Sequence, residues 1–455
     1  MARFARLASL GGRGAASIAD QASTAAIGFL CSVFIGRYLG AEALGLYAIT
    51  SVCVMFVAAL QAAIILEPMS VFGAKKPAQE MPRYYGFLLG FQGSTVGVFT
   101  LLLAGGALLA NAAGIIERPL LMALAAAAVY ANFLCFQYFL RRQFYIEHQQ
   151  YLATIQSVAF LLLVSAGFLG LWWLGGASVV RVYVVLSLCS LAVCVVQSGV
   201  LAKKVRRPGR SVAKGYAGDH WSFGRWVLLG VPLGFMNYYG YFFIVGSLLS
   251  TQDAGHLKAV DVMVAPFNQI AIGLSLMLLP MTARNIDRMS LSAQRRLALR
   301  MALPLLTLAV AYAAAVFFAG DYALQLLFPG TMAEALPIVG VMAFLPIFQA
   351  LPLPAGIILS ALQRPYLRFI SYGVAVFGAL AVSVPLILSQ GLIGAAAGML
   401  VSQVLFAIGQ WLCLAWLWRR MKKKPGAAKA MAQGPGGPPP PAPPIQAGPM
   451  PAMRE

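Results

Sequence analysis

Residues 43–66, ALGLYAITSVCVMFVAALQAAIIL, carry no charged side chain and are bounded by Glu42 and Glu67. A helix needs about 20 apolar residues to cross the hydrocarbon of a bilayer, and this stretch supplies them. Its apolar residues fill successive positions instead of alternating, so a strand of a membrane barrel is not the reading. Further charge-free runs cover 21–36, 84–116, 119–140, 148–180, 182–202, 226–252, 262–283, 301–320, 335–363 and 369–418. The first extends back through Ala15 to Asp20, and the last holds two spans divided at Ser389-Gln390-Gly391. The expected fold is an all-α polytopic membrane protein of about twelve transmembrane helices.

Composition agrees. Of 455 residues, 60% are hydrophobic and 10% are charged, against about 45–50% and about 25% in soluble chains, so several water-facing domains are excluded. Lys and Arg outnumber the acids 33 to 13. The clusters fall in every second loop: Arg3/Arg6/Arg13, Lys75/Lys76/Arg83, Arg141/Arg142, Lys203 to Lys214, Arg284 to Arg300, Arg364/Arg368 and Arg419 to Lys424. The alternate loops hold only Arg37, Arg118, Arg181 and Lys258. That asymmetry predicts both termini in the cytoplasm and accounts for most of the net charge of +20. Contact with anionic lipid is the other use of such charge. No basic stretch has the interleaved aromatics of a nucleic-acid binder.

The first hydrophobic segment contains Asp20 and Gln21 and has no A-x-A site before the next span, so it is expected to be retained, not cleaved as a signal peptide. The six cysteines lie inside expected spans as small apolar fillers, none in a C-x-x-C spacing. There is no GxxxxGK[ST] and no H-E-x-x-H, and His148, His220 and His256 are scattered, so no cofactor and no metal site is expected.

The chain divides into a six-helix half over 1–201, a basic connector over 202–220, a second six-helix half over 221–418, and a tail over 419–455. The tail contains Pro438 to Pro441 and reads as disordered, with polyproline II character. Three pairs align the halves: Gly40 to Ala48 with Ser250 to Ala259, Leu66 to Ser70 with Leu279 to Thr282, and Gln150-Tyr151-Leu152 with Pro365-Tyr366-Leu367. Offsets of 210, 212 and 215 suggest a parallel repeat about an axis along the membrane normal. Two such bundles meet at a seam, and rocking them exposes it alternately to each side, as in a carrier. A constant pore with a filter is not indicated.

Charged groups inside spans are costly and are therefore candidates. Asp20 and Gln21 either face the seam or lie near headgroup water at the start of span one. Glu67, followed by Pro68, is either a functional carboxylate or a helix end at the interface. Arg225 either grips a substrate phosphate or snorkels to lipid phosphates. Lys258 and Asp261 are three residues apart on one helix face, as a local ion pair or a seam-facing pair. Asn237, Tyr238, Tyr239 and Tyr241 in span seven, and Asn268 and Gln269 in span eight, suit either sugar contacts or contacts between helices. Pro346, Pro352 and Pro354, beside Gln349, should kink or break span ten and provide a hinge.

Ser17-Ile-Ala-Asp20-Gln21-Ala, Phe34-Ile-Gly-Arg37-Tyr-Leu-Gly40, Leu44-Gly45-Leu-Tyr47-Ala48 and Glu67-Pro68 resemble the start of bacterial polysaccharide export proteins. These are the Wzx-type flippases of the multidrug/oligosaccharidyl-lipid/polysaccharide (MOP) exporter superfamily. Phe223-Gly224-Arg225-Trp226, Gly255, Ala259 to Pro266 and Leu279-Pro280-Met281-Thr-Ala-Arg284 resemble their second half. The resemblance implies a carrier in the bacterial plasma membrane that moves an isoprenoid-pyrophosphate-linked oligosaccharide to the outer leaflet, beside a polysaccharide polymerase and glycosyltransferases. It implies no enzymatic activity. One departure is that peptidoglycan-precursor flippases carry arginines deep in the first two spans, where this chain has Asp20 and then only Arg37. The alternatives are a multidrug or metabolite cation antiporter of the same superfamily and a membrane sugar polymerase or ligase. Outer loops of about 5 to 16 residues leave the enzyme little room for acids or arginines.

Overall fold

The computed structural model describes residues 2–423 apart from 74, 75, 148, 203, 204, 284 and 363, and of these the side chains except those of residues 2–18, 200, 202, 226, 276, 277, 280, 287, 365 and 423. The side chains of Arg3, Arg6 and Arg13, and the proline-rich stretch from 424, lie outside the described residues.

Span one is α1 (Ala2–Tyr38). Span two is α2 (Gly40–Gln61), a π-helical turn (Ala62–Leu66) and α3 (Glu67–Gly73). Spans three to six are α4 (Met81–Ala112), α5 (Arg118–Ile146), α6 (Gln150–Leu174) and α7 (Val179–Ala202). Span seven is α8 (Arg210–Met236) and α9 (Gly240–Leu248), bent by 45°. Span eight is α10 (Thr251–Ala283) and span nine α11 (Leu291–Leu327). Span ten comprises α12 (Leu336–Met342), α13 (Leu345–Ala350) and α14 (Leu353–Ala361), with a bend of 42° before α13. The last two spans lie in α15 (Pro365–Lys423), interrupted at Gly391, where φ 59° and ψ −130° suit a residue without Cβ. Among the described residues nine helices are long and apolar enough to cross a membrane, and eleven if each bent pair counts once. The break at Gly391 divides the longest of these. The chain is a multi-pass, all-helical membrane protein.

The twofold relation between the halves is visible where α2 meets α10. A Cβ on Gly45 would lie 1.7 Å from the Thr251 carbonyl oxygen and 2.9 Å from the Gly255 nitrogen. A Cβ on Gly255 would lie 1.9 Å from the Ala41 carbonyl oxygen and 2.9 Å from the Gly45 nitrogen. Each glycine meets the counterpart of what meets it, at the shared offset of 210, as a self-complementary twofold contact requires. Small residues of this kind let two helix backbones touch in lipid. The contact lies at the first turns of both helices and closes the seam at one end. That end is opposite the face carrying Arg141, Arg295, Arg368 and Arg419, called here the basic face.

Pro68 shapes the other end of α2. It has no N–H to give the Ile64 carbonyl and its ring crowds that oxygen, so the helix widens into the π-turn just before it. The released Ile64 oxygen lies 3.0 Å from His220 Nδ1. Because a carbonyl only accepts, Nδ1 carries the proton and Nε2 accepts from the Tyr84 hydroxyl at 2.7 Å. His220 is fully buried, ringed by Phe72, Phe87 and Phe91. The stretch 202–220 is thus not wholly a solvated connector. Helix begins at Arg210, because Tyr216 and His220 have an aromatic surface of the first half to bury against.

The halves differ where backbone is interrupted. Span one is continuous, whereas its counterpart, span seven, bends at Asn237 to Tyr239. Span four is continuous, whereas span ten breaks into three pieces, with Pro346 and Pro354 in the first turns of α13 and α14 and Pro352 capping α14. Proline is tolerated there because those first N–H groups have no partner within the helix.

Candidate functional site

A cavity of about 660 Å³ lies in the seam between α1, α2, α5, α6, α7 and α10. It begins beneath the Gly45/Gly255 contact and follows α10 from Lys258 to Ile270, about 18 Å toward the basic face at 1.5 Å per residue. Six tyrosines contribute to its wall: Tyr47, Tyr130, Tyr138, Tyr183, Tyr238 and Tyr239. Its charged lining residues are Arg141, Lys258 and Asp261.

Asp20 is fully buried but does not line the cavity. Its Oδ2 accepts from Arg141 Nη2 at 2.8 Å, Arg141 Nε at 2.9 Å and the Tyr145 hydroxyl at 2.6 Å, and its Oδ1 accepts from the Ser157 hydroxyl. The carboxylate is therefore neutralised and held by charge-assisted bonds from α5 and α6. What reaches the cavity is the cation it orients: Arg141, which also donates to Thr24 at 3.1 Å. Asp20 acts from behind the wall, neither a direct seam contact nor a headgroup neighbour.

Lys258 and Asp261 form a 2.7 Å ion pair, and the Tyr238 hydroxyl donates to the other carboxylate oxygen. Asp261 is 2% exposed, so this compensation is needed. Both face the cavity, as do Tyr239, Asn268 and Gln269. Gln21, Arg37, Glu67 and Arg225 line neither this cavity nor the second one below. Gln21 is half-buried, and Arg37 and Arg225 are exposed, Arg37 at the far end of α1. Glu67 is exposed at the start of α3, near the charges of Arg142 and Arg368. Glu67 thus lies near an arginine of each half, and that none of the four lines either cavity is something spacing in one sequence does not reveal.

The second cavity, about 350 Å³, lies inside the second half between α8, α10, α13, α14 and α15. Tyr238, Tyr239 and Asn268 line both cavities, so the two are neighbours across the bend in span seven. Arg368 is the charged lining residue here. Asn237 lines this chamber and is buried, its carbonyl and side-chain oxygens accepting from Ser402 at 3.0 and 2.9 Å. Pro352 and Gln349 also line it. Gln410 is fully buried, and among the described residues neither of its amide atoms, nor Gln349 Oε1, nor Arg368 Nε has a hydrogen-bond partner. Each such orphan costs about 1–3 kcal/mol. Arg141, Ser157, Arg368, Gln403 and Gln410 were not candidates from sequence. Gln403 and Gln410 left one signal, a seven-residue spacing that puts both on one helix face.

No family model and no curated relative matches the chain. Solved structures do match. A multidrug resistance MATE family transporter of the MOP superfamily, in an inward-facing conformation, aligns at TM-score 0.71 and 11% identity, covering 88% of this chain and 96% of that one. A MOP superfamily transporter from Pyrococcus furiosus, described as having reverse polarity of its binding pocket, aligns at 0.65 and 12%, covering 89% and 95%. The lipid II flippase MurJ, inward closed, aligns at 0.63 and 12%, covering 92% and 91%. At these identities the likeness is one of architecture: the chain has the two-lobe fold of MOP superfamily transporters.

Proposed function

We propose that the protein is a carrier, not an enzyme, that moves an isoprenoid-pyrophosphate-linked oligosaccharide across a bacterial plasma membrane from the inner to the outer leaflet by alternating access. The halves divide near 201 and 221, the basic face is cytoplasmic, and both termini lie on that side. The observation that carries this reading is the lining of the two adjacent cavities, where Arg141 and Lys258, held by the carboxylates of Asp20 and Asp261, and Arg368 stand among tyrosines and buried amides. The paired Arg141 and Lys258 present N–H donors from which pyrophosphate oxygens can accept, and the tyrosines and amides suit sugar hydroxyls. Such groups would otherwise lose hydration in hydrocarbon, while the isoprenoid tail stays in lipid. Lipid and the enzymes that build and polymerise the glycan are the partners this implies. In cells lacking the gene, lipid-linked sugar repeats should accumulate on the cytoplasmic face. Normal surface polysaccharide in those cells would overturn the proposal.

A second reading, a multidrug or metabolite cation antiporter, is favoured by the six-tyrosine wall beside Asp261, which suits a flat organic cation. Against it, Lys258 already occupies that carboxylate. Uptake of organic cations, with no movement of lipid-linked sugar, would decide for the antiporter.

A further inference from the structure

We propose that the smaller chamber, lined by Gln349, Arg368, Gln403 and Gln410, is a sugar-ring site that selects a neutral, hydroxylated residue of the cargo; this deepens the lipid-linked glycan reading and rests on it. The unpartnered atoms determine the chemistry. Gln410 is fully buried and offers an Nε2 donor and an Oε1 acceptor that nothing among the described residues answers, and Gln349 Oε1 is a second unanswered acceptor. Arg368 supplies an unanswered Nε donor, its Nη1 being given to Ser360 at 3.3 Å. A ligand that satisfies this set must bring donors and acceptors together. Phosphate and carboxylate bring acceptors only and would leave both glutamine oxygens without a proton. An organic cation would meet Arg368 with no acid among the chamber's lining residues. A sugar hydroxyl donates and accepts at one atom, and Gln410 alone can pair both ways with neighbouring hydroxyls.

The wall fits the same ligand. The Tyr372 and Phe406 rings stack at 4.2 Å and both line the chamber, an apolar aromatic surface for the C–H face of a pyranose. A volume of about 350 Å³ is at the small end of ligand pockets and suits a ring or two, not a whole glycan. Because Tyr238, Tyr239 and Asn268 belong to both spaces, a pyrophosphate near Arg141 and Lys258 and a sugar in the chamber can belong to one bound molecule.

The test uses purified full-length protein and two probes, a bare isoprenyl pyrophosphate and the same lipid carrying one neutral hexose or N-acetylhexosamine from a panel. At least one sugar-bearing probe should bind the wild type about tenfold more tightly than the bare lipid, about 1.4 kcal/mol. Gln410→Leu and, separately, Gln349→Leu should bring the two probes to within about threefold while leaving the bare lipid's affinity unchanged. Gln410→Leu removes an orphaned polar group, so folding should not suffer, and the second variant guards against a local collapse. Equal binding of both probes by the wild type, or a gap that survives both substitutions, overturns the proposal and leaves the carrier reading standing. If neither lipid binds, the carrier reading fails, and free methyl hexosides up to about 100 mM decide for the chamber by saturation-transfer signals. Signals lost in Gln410→Leu support it, and none in the wild type overturns it.

Discussion

Gly255→Ala tests the closure of the seam. The added Cβ would begin 1.9 Å from the Ala41 carbonyl oxygen, whereas ordinary contact starts at 3.4 Å, so α2 and α10 must part by about 1.5 Å at their first turns. Both obstacles are backbone, so no side chain can swing aside. Overpacking of this kind costs about 1–3 kcal/mol. The cost falls on the state that closes the seam at the Gly45/Gly255 contact and is relieved when the halves separate there. The equilibrium should therefore move toward the opposite-facing state by about 5- to 150-fold. A cysteine at Ser51, which lines the cavity, on a cysteine-free background reports this through labelling by a membrane-impermeant thiol reagent. Gly255→Ala should raise labelling from the face opposite the basic one and lower it from the basic face. An unchanged ratio in protein that still folds would refute the view that this contact is the closed gate.

Arg141→Gln leaves Asp20 buried without its cation and should destabilise the protein by about 3–5 kcal/mol, read as a lower thermal midpoint in detergent. Adding Asp20→Asn should restore more than half of that loss, the coupling expected of groups in contact. Lys258→Met removes one cation and frees Asp261 toward the cavity, so pyrophosphate-lipid affinity should fall about tenfold and organic-cation affinity rise. His220→Leu strands the Ile64 carbonyl and the Tyr84 hydroxyl, at a cost of about 1–3 kcal/mol, and hydrogen exchange should rise in α8 near residue 220.

The spans were legible because charge is so rare that each charge-free run marks a crossing, and Gly391 was found from its run being too long. Gly45 and Gly255 could be paired by offset, yet that each touches the other's helix is a tertiary fact that no spacing encodes. Asp20 was visible as a charge in a span, but its partner was not. The charge-free run ends at Leu140, whereas α5 continues to Ile146, so the sequence alone puts Arg141 in a loop. The amide chamber was hidden for a different reason. Glutamines do not interrupt an apolar run as charges do, and a bend at Asn237 to Tyr239 without a counterpart in span one leaves the space that Gln403 and Gln410 line.

The most direct measurement places purified protein in liposomes containing a labelled isoprenyl-pyrophosphate oligosaccharide and follows how much becomes accessible at the other leaflet to an impermeant sugar-modifying reagent. Protein-dependent transfer, slowed by Lys258→Met, is the predicted result. Transfer no faster than in protein-free liposomes, from protein that binds the lipid and is correctly folded, would contradict the account.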